Sequence, residues 1–395
     1  MNNSINIDPV VIVGSGFAGS ILAERITSQL GKPVVIIEQR DHVAGNMFDY
    51  TDTAGIIVHK YGPHIFRTAS ERVLSYLSQF TDWHPYEHRV LASVDDQLVP
   101  VPFNLTSLEK LLPEKAEMLK QRLVDEFGMD VKVPVSVLRN NTDLELAHLG
   151  EFIFQKIYLN YTTKQWGDKP ENLDFETITQ RVPVHVSYDD RYFQEGHQAL
   201  PKDGYTAMFK NMLANPLIEI RLNTKAADVL SFNTDEGSIS FDGKPFSGDV
   251  IYTGPIDELF SYEYGELPYR SLRFEVEQHN CEFYQPSGTV NYPNEHAYTR
   301  ISEYKHMMAQ QPEGFTTIMR EFPQEYDRHD PIKDIPYYPI PKDSNDEAYA
   351  RYKSIADRFD QLKLVGRLAE YRYYDMNNIV NRALDVFESE YKDAT

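Results

Sequence analysis

The feature that most constrains this chain is a glycine-rich turn close to its start. Gly14, Gly16 and Gly19 follow the G-x-G-x-x-G spacing, directly after the apolar β-branched run Val10–Val13 and ahead of a segment with helical spacing. In such a unit the first glycine permits a tight turn, the second lets the backbone approach a pyrophosphate, and the third lets helix and strand pack closely. The helix N-terminus then offers N–H groups to the phosphates. The turn therefore predicts a Rossmann-type dinucleotide-binding unit; the alternative is a glycine turn that only packs.

The residues after the second strand of this unit indicate which dinucleotide binds. Glu38 ends an apolar run, and a carboxylate there accepts hydrogen bonds from a ribose diol while disfavouring the 2′-phosphate of NADP. Many FAD proteins carry an Arg-x-x-x-Gly-Gly stretch just beyond it, and here Arg40 begins such a stretch with Ala44 in place of the first glycine. We therefore predict FAD, the alternative for this stretch being an ordinary turn. The predicted cofactor-binding residues of this unit are Gly14, Gly16, Phe17, Ala18, Gly19, Glu38, Gln39, Arg40, Gly45 and Asn46.

Charge and cysteine content exclude several classes of protein. The 395 residues include 39 Lys and Arg against 60 Asp and Glu, a net charge of −21, which disfavours nucleic-acid binding because that needs a basic face. Cys281 is the only cysteine, so no intrachain disulfide is expected. No apolar run approaches the roughly 20 residues of a membrane span. The first residues lack the basic and apolar regions of a signal peptide, and we expect a cytoplasmic protein.

The rest of the chain alternates between helical and strand-like patterns. The last segment predicts a strand, LKLVGRL, followed by a helix with one apolar face and Asp375 as its N-cap. A proline-rich stretch at 322–345 contains several aromatic residues and predicts an ordered loop. Helical patterns cover 68–80 and 105–165, and strand-like patterns cover 88–102, 216–253 and 267–303.

Nine short motifs follow one another along the chain: HKYGPHIF (59–66), PVPFN (100–104), YTTKQWG (161–167), RVPV (181–184), IYTGPID (251–257), PYRSL (268–272), AYTRISEYKH (297–306), PYYP (336–339) and VGRLAEYRYYDM (365–376). In this order they resemble the bacterial UDP-galactopyranose mutases. Each motif alone is modest evidence, but the ordered set is highly specific. The resemblance runs from about Val10 to about Phe387, which is nearly the whole chain.

The resemblance implies an isomerase that interconverts the pyranose and furanose forms of a nucleotide sugar, such as UDP-galactose and its galactofuranose isomer, for cell-surface polysaccharide precursors. It implies reduced FAD, whose N5 attacks the anomeric carbon and expels the nucleoside diphosphate, so that no net redox change occurs. The protein must then hold a charged leaving group and exclude water. No nucleic acid and no membrane span are expected, and we predict a homo-oligomer, dimer or larger, with no metal.

The resemblance also assigns roles to individual residues. Arg300 would hold the diphosphate beside the sugar, and Tyr338 and Tyr373 would hydrogen-bond the phosphates. His64 and Arg367 would lie near the flavin, which completes the predicted catalytic set of His64, Arg300, Tyr338, Arg367 and Tyr373. Asp375 and Met376 would place the last helix against the cofactor. The predicted substrate-binding residues are Arg67, Asn104, Tyr161, Trp166, His185, Tyr192, His197, Arg300, Glu321, Tyr338 and Tyr373.

Three positions depart from the family pattern. Arg67 stands where the family usually has a second histidine in HIFHT, and His185 follows the RVPV segment where the family has a mobile-loop arginine. His197 stands where the family usually has a tyrosine that contacts the nucleotide. Histidine in place of arginine removes a fixed bidentate fork for phosphate. Arg67 adds a donor, for which a polar group on the substrate is the expected partner. We expect these three residues to share one pocket and to change the substrate; the alternative is neutral drift.

Pattern and resemblance together predict an α/β fold, α+β in part. A discontinuous FAD-binding Rossmann-type domain would comprise 1–85, 203–262 and 345–395, a helical domain 104–180, and an antiparallel-sheet substrate domain 86–103, 181–202 and 263–344. A different nucleotide sugar remains open as substrate: UDP-N-acetylgalactosamine, or a deoxy- or heptose nucleotide sugar. A conventional FAD oxidoreductase on the same fold is the second alternative, and a non-enzymatic FAD-binding protein the third.

Overall fold

The strands and helices follow the apolar runs of the sequence. The computed structural model describes residues 8–167, 170, 182–340 and 342–392. The helices are α1 Phe17–Leu30, α2 Glu71–Leu77, α3 Leu105–Leu111, α4 Ala116–Phe127, α5 Val135–Arg139, α6 Leu144–Ile153, α7 Asn160–Trp166, α8 Tyr205–Met212, α9 Ala226–Val229, α10 Ile256–Leu259, α11 Asp343–Ala356 and α12 Met376–Phe387. The strands are β1 Val10–Val13, β2 Val34–Ile37, β3 Asp49–Thr51, β4 Ile57–His59, β5 Phe66–Thr68, β6 Trp83–Pro85, β7 Val90–Val94, β8 Gln97–Val101, β9 Val131–Val133, β10 Val184–Val186, β11 His197–Pro201, β12 Ile218–Arg221, β13 Leu230–Asn233, β14 Ser238–Phe241, β15 Lys244–Phe246, β16 Val250–Tyr252, β17 Tyr269–His279, β18 Thr289–Asn291, β19 Arg300–Glu303, β20 Thr316–Glu325, β21 Tyr338–Pro339 and β22 Leu362–Leu364.

A parallel five-stranded sheet forms one centre of the fold, in the order β12-β2-β1-β16-β22. Every residue of β1 and β2 is buried, as expected for parallel strands covered on both faces. Val10 and Ile12 belong to the apolar cluster that includes α1 and α12, while Val11 and Val13 belong to the cluster on the opposite face. Because strand side chains alternate, these two apolar layers arise from one continuous apolar run.

A larger sheet of seven strands carries much of the second half of the chain, in the order β21-β17-β20-β19-β18-β7-β8. Its neighbours are antiparallel, except that β18 and β7 run parallel. The strand-like pattern predicted over 88–102 is confirmed as β7 and β8, and Asp95 and Asp96 in the turn between them have positive φ. Short polar side chains tolerate this left-handed conformation better than most residues.

The helical pattern of the middle of the chain is confirmed over most of 105–165. It gives α3 to α7, with a π-helical segment, Phe154–Leu159, joining α6 to α7. Helices α3 to α6 bury their apolar faces in a cluster shared with β7 and β8. The predicted fold class is therefore confirmed, since parallel sheet, helical region and largely antiparallel sheet are all present. The domain boundaries stay a prediction.

The end of the chain also follows its sequence pattern. Asp375 is the N-cap of α12, and its carboxylate accepts a hydrogen bond from the backbone N–H of Asn378 at 2.8 Å. The apolar face of α12 packs against α1, with Val380, Ala383 and Leu384 in the shared cluster. Among the helices of the described ranges, none is long and apolar enough to cross a membrane.

Candidate functional site

The glycine turn fits so closely that side chains are excluded from two of its positions. Gly14 has φ +97°, and a Cβ there would lie 2.1 Å from Oγ1 of Thr253, just after β16. A Cβ on Gly19 would lie 2.0 Å from the carbonyl oxygen of Gly14. Contacts this short do not occur between real atoms, so the turn requires glycine at both positions. The turn therefore lies at the carboxyl ends of β1 and β16, where ligands bind in parallel sheets.

The N-terminus of α1 is open beside this turn. Its N-cap is Gly16, which supplies no side-chain hydrogen bond to the first helical N–H groups. A Cβ on Gly45 would lie 3.0 Å from the Cα of Gly16, so the two glycines face each other closely. Ala44, beside Gly45, has φ +76°, a conformation that favours glycine, and its N–H donates to the carbonyl of Ser15. The stretch that begins at Arg40 thus keeps its bend, although alanine stands in place of its first glycine.

Glu38 lies at the end of β2, as its position in the sequence predicts. Its carboxylate is buried and accepts from the N–H of Ser15 at 3.0 Å, from the Ser15 hydroxyl at 2.7 Å and from the N–H of Arg40 at 3.0 Å. Arg40 donates to Asn46 at 3.0 Å and lies over the ring of Tyr61. Its Nη1 is buried without a partner among the described residues. That orphaned donor and the uncapped helix both fit an anionic ligand.

The other predicted cofactor residues lie around this turn in three different environments. Phe17 packs on Phe209 of α8, with ring centroids 4.9 Å apart. Ala18 faces Gly366, where an added Cβ would lie 3.5 Å from the alanine methyl group. Gln39 is exposed. The first two therefore shape the turn by packing, and Gln39 lies at the surface beyond Glu38.

A buried ion pair lies at the centre of a second group of predicted residues. Arg300 begins β19 and donates to Oε2 of Glu321 on β20 through Nε at 2.9 Å and Nη2 at 2.7 Å. Glu321 is only 2% exposed. Burial opposes the charge of Arg300, but the coulombic attraction of Glu321 keeps its pKa above the ordinary value. The pair holds the guanidinium in one orientation, with Nη1 free of hydrogen bonds to the described residues.

A second arginine lies beneath two tyrosines near this pair. Arg367 follows Gly366 after β22 and donates to the carbonyls of Tyr337 at 3.1 Å and Tyr374 at 2.6 Å. Its guanidinium carbon lies 5.4 Å from the ring centroid of Tyr338 and 5.2 Å from that of Tyr373. Burial, then Glu321, raises the pKa of Tyr338, so its hydroxyl remains a neutral donor. Cation and hydroxyl groups are thus brought together, as binding of a diphosphate requires.

Tyr161, Tyr192 and His64 surround the same charges. Burial raises the pKa of Tyr161, and both Arg300 and Glu321 act on it electrostatically. Burial also raises the pKa of Tyr192, with Arg300 and Arg67 opposing that rise. Burial, then the nearby His59, lowers the pKa of His64 to about 3, and Arg367 and Arg300 lower it further. His64 is therefore neutral at physiological pH, and it cannot supply a positive charge to a phosphate.

The N-terminus of α12 joins this group through Asp375 and Met376. Nη2 of Arg67 lies 3.5 Å from a carboxylate oxygen of Asp375. Sδ of Met376 lies 3.6 Å from the hydroxyl of Tyr205, and that hydroxyl donates to the carbonyl of His64 at 3.1 Å. The start of α12 and the loop of His64 are thus linked by one tyrosine.

Arg67 already has partners within the protein, contrary to the expectation that the substrate must supply one. Besides Asp375, it forms an ion pair with Glu195, and its guanidinium carbon lies 4.3 Å from the ring centroid of Phe193. The guanidinium therefore needs no substrate group to offset its partial desolvation. Arg67 still lies close to Tyr192, since its charge acts on the pKa of that tyrosine.

The other two departures from the family pattern lie on different strands. His185 lies on β10 opposite Lys132 of β9, and burial, then Lys132, lowers the pKa of its ring. A neutral His185 cannot replace an arginine charge. His197 pairs with Thr68, the residue after Arg67, but its side chain is 46% exposed and faces Glu71. A pocket shared by all three residues stays a prediction.

Asn104 and Trp166 lie at the two ends of the helical region. Asn104 is buried as the N-cap of α3: it accepts from Ser107 and donates to the carboxylate of Asp190 at 2.7 Å. Its amide is used inside the protein. Trp166 ends α7 and is partly exposed. Arg181 of the RVPV motif lies outside the described residues.

Three charged or titratable residues near the cleft were missed by the sequence analysis. Arg270 is buried and donates to the carbonyl of Gln165, and a Cβ on Gly167 would meet its guanidinium at 2.5 Å. His88 is buried, which lowers its pKa to about 3, with Arg300 adding to the shift. Lys164 lies on α7, between Tyr161 and Trp166 in sequence. Arg270 lies in the PYRSL motif and Lys164 in the YTTKQWG motif, and these motifs could have indicated both residues. No sequence pattern indicates His88.

The described residues contain no group of three or more His, Cys, Asp or Glu side chains placed to hold a metal ion. The candidate site instead has two parts: the open helix N-terminus at the glycine turn, and the cleft group, which we define as His64, Tyr161, Tyr192, Arg300, Glu321, Tyr338, Arg367 and Tyr373. The first suits a dinucleotide and the second suits an anionic, hydroxyl-rich ligand.

Both the first and the later part of the chain are similar in sequence to known protein families. A family profile described as UDP-galactopyranose mutase matches residues 156–373, and one described as NAD(P)-binding Rossmann-like domain matches residues 12–80. The chain is 34% identical to a UDP-galactopyranose mutase of Mycoplasma pneumoniae, over 95% of this chain and 94% of the relative. It is 32% identical to a dTDP-fucopyranose mutase of Escherichia coli, over 96% of this chain and 97% of the relative. A crystal structure of reduced UDP-galactopyranose mutase matches the fold with a TM-score of 0.71 at 16% identity, covering 97% of this chain and 93% of that one.

Proposed function

The chain belongs to the UDP-galactopyranose mutase family and is an isomerase, and from this premise we propose that it interconverts the pyranose and furanose forms of a nucleotide sugar with FAD as cofactor. The observation that carries the proposal is the Arg300–Glu321 pair beside Arg367, Tyr338 and Tyr373. An oriented guanidinium next to the neutral phenol of Tyr338 is suited to a diphosphate leaving group.

The residues of the glycine turn fit FAD. The uncapped N-terminus of α1 and the orphaned Nη1 of Arg40 would hold the pyrophosphate, and the carboxylate of Glu38 would accept from the ribose diol. When bound and reduced, FAD would supply the nucleophile for the anomeric carbon. His64 and Arg367 would lie on the side of the cofactor that faces the sugar.

The chain's own residues then have separable tasks. Arg300 would neutralise charge on the departing diphosphate, and Glu321 would hold that guanidinium in place. Tyr338 and Tyr373 would donate hydrogen bonds from their hydroxyl groups to phosphate oxygens. Tyr161, Tyr192 and Trp166 would cover the nucleotide and limit the access of water to the activated sugar.

For the substrate we propose a UDP-galactose-like nucleotide sugar, with a different hexose as the alternative. A relative at 32% identity is named for dTDP-fucopyranose, so members of similar sequence differ in both base and sugar. Arg67 is the departure that lies beside the cleft group. Because its charge is shared with Glu195 and Asp375, it would discriminate by shape and dipole rather than by a free positive charge.

The test is the dependence of turnover on reductant. Enzyme reduced with dithionite is incubated with UDP-galactose, UDP-N-acetylgalactosamine, dTDP-fucose and a heptose nucleotide, and products are separated by chromatography. We expect a product of unchanged mass from at least one of them, formed over many turnovers per reduced flavin. Consumption of one electron donor per product would instead identify an oxidoreductase. Oxidised enzyme serves as the control and should be inactive.

A further inference from the structure

A lysine of α7 lies within a cage of backbone carbonyls. Nζ of Lys164 is 2.5 Å from the carbonyl oxygen of Tyr292, 2.9 Å from that of His296 and 3.3 Å from that of Tyr298. An ammonium group has three N–H donors and no acceptor, so three carbonyls satisfy it completely. A neutral amine has only two N–H donors, and its lone pair would repel the third carbonyl.

The cage belongs to the loop that leads directly into Arg300. This loop joins β18 to β19, and its aromatic side chains pack on one another. The rings of His296 and Tyr298 stack with centroids 4.6 Å apart, and Tyr292 meets both edge-on. Tyr298 also contacts Phe322, the neighbour of Glu321, at 5.8 Å. The carbonyl cage is therefore continuous in packing with the buried ion pair of the cleft.

The helical side of the contact carries other cleft residues. Tyr161 and Trp166 lie on α7, on either side of Lys164 in sequence. A second polar contact joins the same two elements: Asn160 donates to the side chain of Asn294 at 3.0 Å, and Asn294 donates to the carbonyl of Lys156 at 3.0 Å. Two independent contacts thus fix the loop against the helix.

We propose that Lys164 is a positioning residue whose ammonium acts as a built-in cation, fixing the loop that carries Arg300 against the helix that carries Tyr161 and Trp166. It thereby sets the distance between two walls of the nucleotide-binding cleft. This inference rests on the proposed function, because that function gives the cleft its nucleotide. Lys164 itself touches the loop and not the reacting atoms.

The charge state of Lys164 supplies an independent readout. Burial lowers its pKa to about 8, and Glu295, the loop carboxylate whose field acts on it, opposes that change. The other titratable groups around it are Tyr292, His296 and Tyr298; burial raises the pKa of Tyr292 to about 12 and also raises that of Tyr298, so both stay neutral. The folded pKa lies below the ordinary value, so on this group alone the free energy of unfolding rises with pH above about 8. Nucleotide binding should fall over the same range, since the neutral amine leaves one carbonyl unpaired. A residue that only stabilised the fold would not weaken nucleotide binding over the pH range in which it raises the free energy of unfolding.

The experiment is chemical rescue of Lys164→Ala, which empties the cage while keeping its carbonyls. We expect KM for the nucleotide sugar to rise about tenfold or more, with a smaller change in kcat. Ammonium or methylammonium chloride should restore KM, while tetramethylammonium chloride at equal ionic strength should not, because it has no N–H donor. Unchanged KM, or equal recovery with all three salts, would overturn the proposal.

Two further measurements keep the test decisive. Lys156→Met serves as the control, because Lys156 lies one helical segment earlier and pairs with the exposed Asp95; it should behave as the parent enzyme. UDP affinity and amide exchange of residues 292–299 are measured in Lys164→Met at pH 7, which needs no turnover. Loss of UDP affinity with faster exchange supports the positioning role even if the parent shows no mutase activity, which would overturn the proposed function alone. Unchanged affinity and exchange would overturn the positioning role.

Discussion

The glycine turn and the cleft group use the chain in opposite ways. At the turn, Gly14, Gly16 and Gly19 act by leaving space, and the contacts that define the site are made by backbone atoms. In the cleft, Arg300 and Glu321 act through charge, and each is held by the other. The first part is therefore sensitive to an added methyl group, and the second to a lost charge.

The difference also shows in how each part tolerates burial. A backbone turn needs no compensation beyond its own hydrogen bonds. Ala44, with its positive φ, shows that the stretch beginning at Arg40 can replace one glycine at a cost in backbone strain. Glu321, at 2% exposure, needs its cation, because an unpaired buried carboxylate is strongly destabilising. The cleft group therefore has a charge that could meet its ligand and part of its stability in the same pair.

The largest effect is expected at the turn. Gly19→Ala would place a Cβ 2.0 Å from the carbonyl oxygen of Gly14, which cannot move without distorting the turn. Because this overpacking distorts the cofactor-binding turn itself, we expect purified protein to carry little flavin and to show no turnover.

Flavin content is measured from the visible spectrum of freshly purified protein. Gly31→Asn is the matched control, since Gly31 lies just after α1, a Cβ there meets open space, and asparagine tolerates its φ of +64°. Full flavin content in Gly19→Ala would show that backbone shape does not define this part of the site.

A smaller but still large effect is expected for Arg300→Ala. Loss of a charge-assisted phosphate contact costs on the order of 2–4 kcal/mol, which corresponds to a loss of roughly 30- to 900-fold in kcat/KM. Flavin content should stay normal, because the residue lies outside the turn.

Arg300→Lys separates charge from geometry, since it keeps the cation but loses the fork that holds Glu321. Arg221→Ala, a surface arginine on β12 paired with Glu219 and Asp242, is the control and should be near normal. Near-normal kinetics in Arg300→Ala would remove Arg300 from the mechanism.

A change of preference rather than of total activity is expected for Arg67→His. The substitution removes the guanidinium from Glu195 and Asp375 and leaves a smaller ring beside Tyr192. We expect the ranking of nucleotide sugars to move toward UDP-galactose by about tenfold, or 1.4 kcal/mol of discrimination. His185→Arg and His197→Tyr change side chains that face other neighbours, Lys132 and Glu71, and should leave the ranking unchanged; a shift produced by either of them alone would contradict this placement.

The smallest effect is expected at the pair of Glu303 and His306. Glu303 ends β19, the strand that Arg300 begins, and His306 lies in the turn that follows, so this pair gives a baseline for the ion pair of Arg300 and Glu321. Burial opposes the charge of His306, but hydrogen bonds to Glu303 and to the carbonyl of Gln285 raise its pKa. Burial also opposes the charge of Glu303, but its hydrogen bonds, that of His306 foremost, lower its pKa. The stabilisation by His306 is present below its ordinary pKa of about 6.5 and is lost as pH rises through the folded value.

The measurement is the melting temperature at pH 6 and pH 8. The parent should lose more Tm over this interval than His306→Gln, while the exposed His329→Gln should follow the parent. Equal pH dependence in all three would show that this pair does not stabilise the fold.

Local pattern was a good guide where the chain makes its contacts with near neighbours. The turn at Gly14 to Gly19, the acidic strand end at Glu38 and the N-cap at Asp375 all lie where the sequence analysis puts them. Each depends on hydrogen bonds or packing within a few residues or within one strand–helix–strand unit. The same logic could not predict which residues the side chains of His185 and His197 face, because that depends on which strand pairs with each of them.

By itself the sequence determined the dinucleotide-binding unit, the fold class and the family, because glycine spacing, apolar alternation and ordered motifs are properties of the chain read in one dimension. Only the tertiary structure decided which charges meet. Arg67 forms ion pairs with Glu195 and Asp375. Lys164 donates hydrogen bonds to three carbonyls of a loop more than a hundred positions later in the sequence. The reason is desolvation: a buried charge is stable only where the fold brings an oppositely charged or hydrogen-bonding group to it. Because that group comes from a distant segment, no single segment of the sequence shows the pairing.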